Sequence, residues 1–176
     1  MIKRRQGREW ALQALVQFDL NPPEDVDLAL ALFWERLADE ERSELENGSV
    51  TAHVVFGVTN EHDRVALERM KAFAEARARG AWKDREALDA AIEPFLENWS
   101  LYRLGSVERA ALRLGAWELL NCRDIAAPVV MNEAVDLVKY FSESKSGRFV
   151  NGILDRFAKN LPPPEKPGEE AQSAGA

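Results

Sequence analysis

Apolar positions recur along this chain at three- and four-residue steps almost from end to end, the signature of amphipathic helices sharing a core. Over residues 8–20, Ala11, Leu12, Leu15, Val16, Phe18 and Leu20 form such a stripe, and Asn21-Pro22-Pro23 stops it. A second helix is predicted from Glu24-Asp25, presenting Leu28, Leu32 and Leu37. Gly48-Ser49 opens a third, in which Val50, Val54 and Val58 keep a helical step although the β-branched content, with Val55, resembles a strand. From Glu61 to Arg79 the pattern is charged and alanine-rich around Val65, Leu67, Met70, Phe73 and Ala74, which reads as a solvated amphipathic helix or hairpin ending near Gly80. Residues 84–99 carry Leu88, Ile92, Phe95, Leu96 and Trp99, and Pro94 must kink or divide any helix there because it has no N–H to donate.

The second half is more regular. Tyr102 to Ser106 reads as a joint, with Ser106 as N-cap of a helix from Val107 to about Asn121. That helix is apolar around most of its circumference (Val107, Ala110, Ala111, Leu114, Gly115, Ala116, Trp117, Leu119, Leu120), which predicts a central position packed on several sides. Pro128 sets the next start, with Ala134, Val135, Leu137, Val138 and Phe141 on the buried face. The last helix shows Phe149, Val150, Ile153, Leu154 and Phe157. Between these two lies a polar, cationic joint containing Ser142, Ser144, Lys145, Ser146, Gly147 and Arg148. Asn151-Gly152 is a turn signal by dipeptide rules. From Leu161 onward the composition is that of a disordered tail, so residues 1–160 are expected to form one all-α domain and residues 161–176 a tail.

Composition adds exclusions. Hydrophobic residues make up 46% and charged residues 30%, ordinary for a globular chain. No apolar run approaches the roughly 20 residues needed to span a bilayer, and no apolar signal region follows the basic start, so no membrane partner is expected. The single cysteine, Cys122, cannot form an internal disulfide; a reduced, cytoplasmic setting is the simplest reading. The net charge of −7 is uneven: Lys3, Arg4, Arg5 and Arg8 make residues 1–8 +4, the segment from Leu161 is −2, and residues 9–160 are therefore −9. A basic arm on an acidic body argues against coating of DNA by a wide cationic face and fits a narrow polyanion contact beside a basic protein partner.

Enzymatic chemistry finds little support. His53 and His62 lack HExxH or CxxC context, Cys122 has no visible base, and the nucleotide-binding and nucleophile-elbow motifs are absent. No catalytic residue, metal ligand or cofactor is assigned.

Three features carry binding chemistry. Arg4 and Arg8 are four residues apart and Arg5 and Arg8 three, so a helical turn would gather them on one side, where guanidinium groups grip phosphates; the alternative is a solubilising N-terminus. Lys145, Arg148 and the small polar residues before Phe149 offer phosphate neutralisation beside an aromatic ring, as single-stranded nucleic-acid contacts do; the alternative is that Phe149 is core and the serines a capped turn. Asn132-Glu133 reads as local capping and dipole chemistry at the helix start after Pro128.

Taken in order, these segments resemble the NusB family of bacterial transcription antitermination factors. The matching stretches are Arg4-Arg5-x-x-Arg8-Glu9-x-Ala11-Leu12-Gln13-Ala14-Leu15, then Val107-x-Arg109-Ala110-x-Leu112-Arg113-Leu114 with Trp117-Glu118-Leu119-Leu120. They continue with Pro128-Val129-x-x-Asn132-Glu133-Ala134-Val135-x-Leu137-x-Lys139 and Phe149-Val150-Asn151-Gly152-Ile153-Leu154-Asp155. The likeness is weak between about 38 and 99. It implies an all-α fold of two small helical bundles sharing a core, with Asn151-Gly152 inside the last helix, and a non-enzymatic protein. It also implies binding of boxA RNA together with NusE, a small-subunit ribosomal protein, within an antitermination complex on RNA polymerase; a homodimer is compatible with it.

Carried over by position, the resemblance makes Arg4, Arg5, Arg8 and Phe149 RNA-facing and Val16 and Glu108 partner-facing; the cationic chemistry read from the residues themselves adds Lys3, Lys145 and Arg148 to the RNA-facing set. Lys145 departs from the pattern, since the best-known relatives carry an acid there. Two other readings remain: the NusB-like RNA-binding domain of a ribosomal RNA cytosine methyltransferase, and a helical protein-interaction module without RNA binding. The segment after Leu161 holds no cofactor loop, which weighs against the methyltransferase.

Overall fold

The computed structural model describes residues 4–47, 56, 60–97, 99–142 and 145–162. Among these residues there are seven α-helices and no strand: α1 (Arg4–Leu20), α2 (Val26–Glu46), α3 (Glu61–Lys83), α4 (Arg85–Ile92), α5 (Ser106–Asn121), α6 (Ala127–Phe141) and α7 (Ser146–Lys159). The all-α expectation holds. The helix expected from Gly48-Ser49 with Val50, Val54, Val55 and Val58, and the tail beyond Pro162, lie outside the described residues.

Helices α1 and α3 pack together, with α2 held to them through Trp34 on Trp10 and Glu75, and α4 to α7 form a second bundle, joined to the first by packing of α5 against both α1 and α3. Its buried surface runs nearly all round, from Ala110 through Ala116 and on to Leu119, as its apolar circumference predicted. Close approach sets the crossing points. A Cβ at Gly80 would overlap the indole of Trp117, and one at Gly115 would lie 2.7 Å from Leu154 Cδ1, so glycine is what lets α3 and α7 press onto α5. Gly80 therefore does not end α3. The helix continues to Lys83, and Ala81 and Trp82 are buried beyond it.

Other boundaries follow local chemistry. Pro22-Pro23 stops α1, Asn60 caps α3 by accepting the Asp63 amide proton at 2.9 Å, and Pro94 divides α4 from a 3-10 turn over Glu93–Phe95. Ser106, expected as a cap, is instead the first helical residue of α5; Gly105 occupies the N-cap position, with no side-chain capping bond. In α2 the buried face is not the expected one. Leu28 and Leu32 are 58% and 53% exposed, whereas Leu30 and Phe33 are buried. The helix is turned by Trp34, whose ring meets Trp10 edge-on at 5.3 Å and whose Nε1 donates to Glu75 at 2.7 Å. Asn151 and Gly152 lie within α7, so the turn signal is overridden by the stripe of Val150, Ile153, Leu154 and Phe157.

Buried ion pairs tie the bundles. Arg113 clasps Asp89 through two bonds of 2.7 Å and reaches Asp19 at 2.9 Å, while Arg109 Nε donates to Asp19 at 2.7 Å, so α1, α4 and α5 share one network. Burial alone would raise the Asp19 pKa, but hydrogen bonds from Arg109 and Arg113 outweigh it and hold the carboxyl below its ordinary value.

Candidate nucleic-acid interface

The joint between α6 and α7 is built on Gly147. The position a Cβ would take there lies 3.3 Å from Lys139 Cγ and 3.4 Å from its Cε, so the aliphatic stem of Lys139 lies across the first turn of α7. This brings the Lys139 ammonium to the joint that also carries the exposed Lys145 and Arg148. Both ends of the joint are pinned to one carboxylate. Ser142 Oγ, just past α6, donates to Glu108 Oε1 at 2.6 Å, and Ser146, at the start of α7, also hydrogen-bonds Glu108. Burial would raise the Glu108 pKa; these two hydroxyls and its own backbone amide outweigh that and lower it. Glu143 and Ser144 lie outside the described residues.

The arginine segment does not form the single cationic face expected of it. Arg4 is exposed. Arg5 donates from Nη1 to Asp136 on α6 at 3.0 Å and from Nε to Glu9 at 3.3 Å, leaving its side chain 42% exposed. Arg8 turns inward and is only 4% exposed. Its Nε donates to both carboxylate oxygens of Glu118 at 3.1 and 2.9 Å, and Glu118 also receives Arg77 Nε at 2.6 Å. The Arg77 guanidinium lies 3.3 Å from the Phe73 ring centroid. Arg8 is thus an internal ion-pair residue locking α1 to α5. The cause is Glu118, 1% exposed on the buried face of α5, whose charge requires buried cations.

Asn132 and Glu133 are not caps either, since α6 begins at Ala127 and they sit in its second turn. Glu133 Oε2 instead lies 3.8 Å from Arg8 Nη1, extending the buried network toward α6. Cys122 receives a 3.8 Å contact from Arg77 Nη2; burial raises its pKa against the opposing effect of that cation, so its thiol stays protonated and structural. Among the described residues no group of His, Cys, Asp and Glu has metal-holding geometry. No helix among them is long and apolar enough to cross a membrane.

Beside the joint runs a groove of about 510 Å³ between α1 and α5, floored by Leu12, Val16, Val107 and Phe141 and rimmed by Gln17 and Arg36. Val107 and Phe141 on its wall are the chain neighbours of Glu108 and Ser142. The hydrogen bond between those two residues is therefore the boundary between an apolar groove and a cationic joint. Phe149 is half-buried and packs on the core, contributing to the wall of the joint more than to its open surface. Lys3 lies outside the described residues.

The sequence matches the NusB family model over residues 59–159. Transcription antitermination protein NusB of Anaeromyxobacter dehalogenans is 37% identical over 161 residues, covering 92% of this chain and 94% of the relative. The chain belongs to the NusB family. The Bacillus licheniformis member is 34% identical, with 91% of this chain and 99% of the relative covered. Solved structures agree: T. maritima NusB superposes with a TM-score of 0.68 at 31% identity, covering 92% of this chain and 94% of that one. A NusB crystallised with NusE and double-stranded RNA gives 0.65 at 29% identity, covering 92% of this chain and all of that one.

The NusB fold thus accounts for the two bundles and the central α5. Lys139, Arg77 and Glu118 are the side chains to which the sequence assigns no role. Glu118 carries a readable signal, as the one carboxylate between Ala110 and Leu120, whereas Lys139 is placed only by its approach to Gly147.

Proposed function

We propose that this protein is an RNA-binding transcription antitermination factor that recognises boxA RNA jointly with NusE and performs no catalysis. The observation that carries this reading is the adjacency of two unlike surfaces. A cationic joint suited to phosphates and an apolar groove suited to a protein are separated by one shared carboxylate, Glu108. Support comes from a NusB solved with NusE and RNA together.

In this reading Arg4, Lys145, Arg148 and Lys139 neutralise phosphates, with Lys3 extending the arm, while Phe149 supports the joint from below and offers its exposed edge to a base. Arg5, tethered to Asp136, contributes a partly neutralised cation, and Arg8 positions α1 without touching RNA. Val16 in the groove and Glu108 at its edge face NusE, and the −9 body favours encounter with a basic ribosomal protein. The complex then joins RNA polymerase in the cytoplasm. A homodimer through the groove would compete with NusE.

The test is charge reversal at the joint. Lys145→Asp together with Arg148→Glu should weaken binding of a boxA-like single strand at least 10-fold and flatten its salt dependence, while a double-stranded competitor reports which form is preferred. Unchanged affinity and salt slope would leave only a protein-interaction module.

A further inference from the structure

We infer that Tyr140 is a base-stacking platform for a single-stranded nucleic acid, placed between the α1 arginines and the α6–α7 joint; this rests on the RNA-binding reading above. An exposed aromatic residue alone means little, because apolar atoms are common on protein surfaces. Tyr140 differs in its surroundings. The residue is 72% exposed, and its ring meets Phe141 edge-on at 4.8 Å and 84°. Phe141 is itself part of the groove wall, so the tyrosine ring leans on a fixed neighbour and presents its open face to solvent.

The charges around it are also placed. Successive helical residues are about 100° apart, so Lys139, Asp136 and Tyr140 share one solvent-facing arc of α6. Lys139 leans to α7, where its stem lies over Gly147 beside Lys145 and Arg148. Asp136, one turn before Tyr140, holds Arg5 of α1 at 3.0 Å. Because α6 packs against both α1 and α7, a strand running from the Arg4 and Arg5 phosphate contacts to the joint crosses the last turn of α6, where Tyr140 stands. Cations on either side of an open aromatic face are the arrangement by which backbone-tracking grooves stack bases.

The experiment measures anisotropy of a labelled boxA-like single strand with the whole chain and no partner, over a salt series, for wild type, Tyr140→Ala and Tyr140→Phe. Stacking predicts an affinity about 10-fold lower for Tyr140→Ala with an unchanged salt slope, and near wild-type affinity for Tyr140→Phe. Replacing single nucleotides by abasic ones should find one position at which the wild-type advantage disappears. If wild type binds and Tyr140→Ala binds equally well, the inference fails while the RNA-binding reading stands. If Tyr140→Ala keeps its RNA affinity but loses affinity for NusE in a separate titration without RNA, the ring is a protein contact and the inference is overturned. If wild type binds no RNA, both fall. Thermal unfolding of each variant separates these outcomes from misfolding.

Discussion

At the scale of single residues, the arginines of α1 divide by what their partners allow. Arg8 is consumed by Glu118 inside the protein, so Arg8→Ala should lower stability by about 3 kcal/mol in urea denaturation, because it leaves a buried carboxylate with Arg77 alone. It should leave the salt slope of RNA binding unchanged. Arg148→Ala should do the reverse, shifting stability by no more than about 0.5 kcal/mol while lowering the salt slope by about 0.7, the single-strand value for one phosphate contact. From the sequence these two arginines looked alike. The burial of Arg8 is not legible in the sequence because its partner lies 110 residues away, and spacing along one helix says nothing about a carboxylate on another.

Asp19 supplies a pH test at the same scale. Its folded pKa is depressed, so the stability it contributes is present above the ordinary carboxyl value of about 4 and is lost as pH falls through the lowered value. Asp19→Asn should therefore be destabilised at neutral pH, and the gap from wild type in a melting series should narrow on acidification below that range.

At the scale of elements, most of the helices were legible and their faces less so. Periodicity located α1, α5, α6 and α7 because each carries a continuous apolar stripe, and Pro94 divided α4 from the following turn as its missing N–H requires. The exposed face of α2 was misread because Leu28 and Leu32 are as apolar as Leu30; only the anchoring of Trp34 on Trp10 and Glu75 decides the rotation. Gly80 was read as a stop because glycine is a common one, but here it is a contact point with Trp117. Gly80→Ala should accordingly destabilise the protein by about 1–3 kcal/mol despite the higher helix propensity of alanine, as chemical denaturation would show. Glu108 joins α5 to both ends of the α6–α7 joint, so Ser142→Ala should speed amide hydrogen exchange around residues 145–148 with little effect elsewhere.

At the scale of the whole molecule, an acidic body carries a small cationic region beside an apolar groove, and Glu108 sits on the border of the two. Under the proposed function this layout divides the labour: the joint would bind RNA weakly through few phosphates, and a partner in the groove would add its own contacts and steady the joint through Glu108. The surface residues of the candidate site were legible as cations beside an aromatic, but their arrangement required Gly147 and Glu108 to be seen in place. The most direct measurement is a titration of a boxA-like single strand with this protein, with and without saturating NusE, at two salt concentrations. Recognition shared by the joint and a partner in the groove predicts modest, salt-sensitive binding alone and at least 10-fold tighter binding with NusE. Absence of RNA binding in both arms would contradict it.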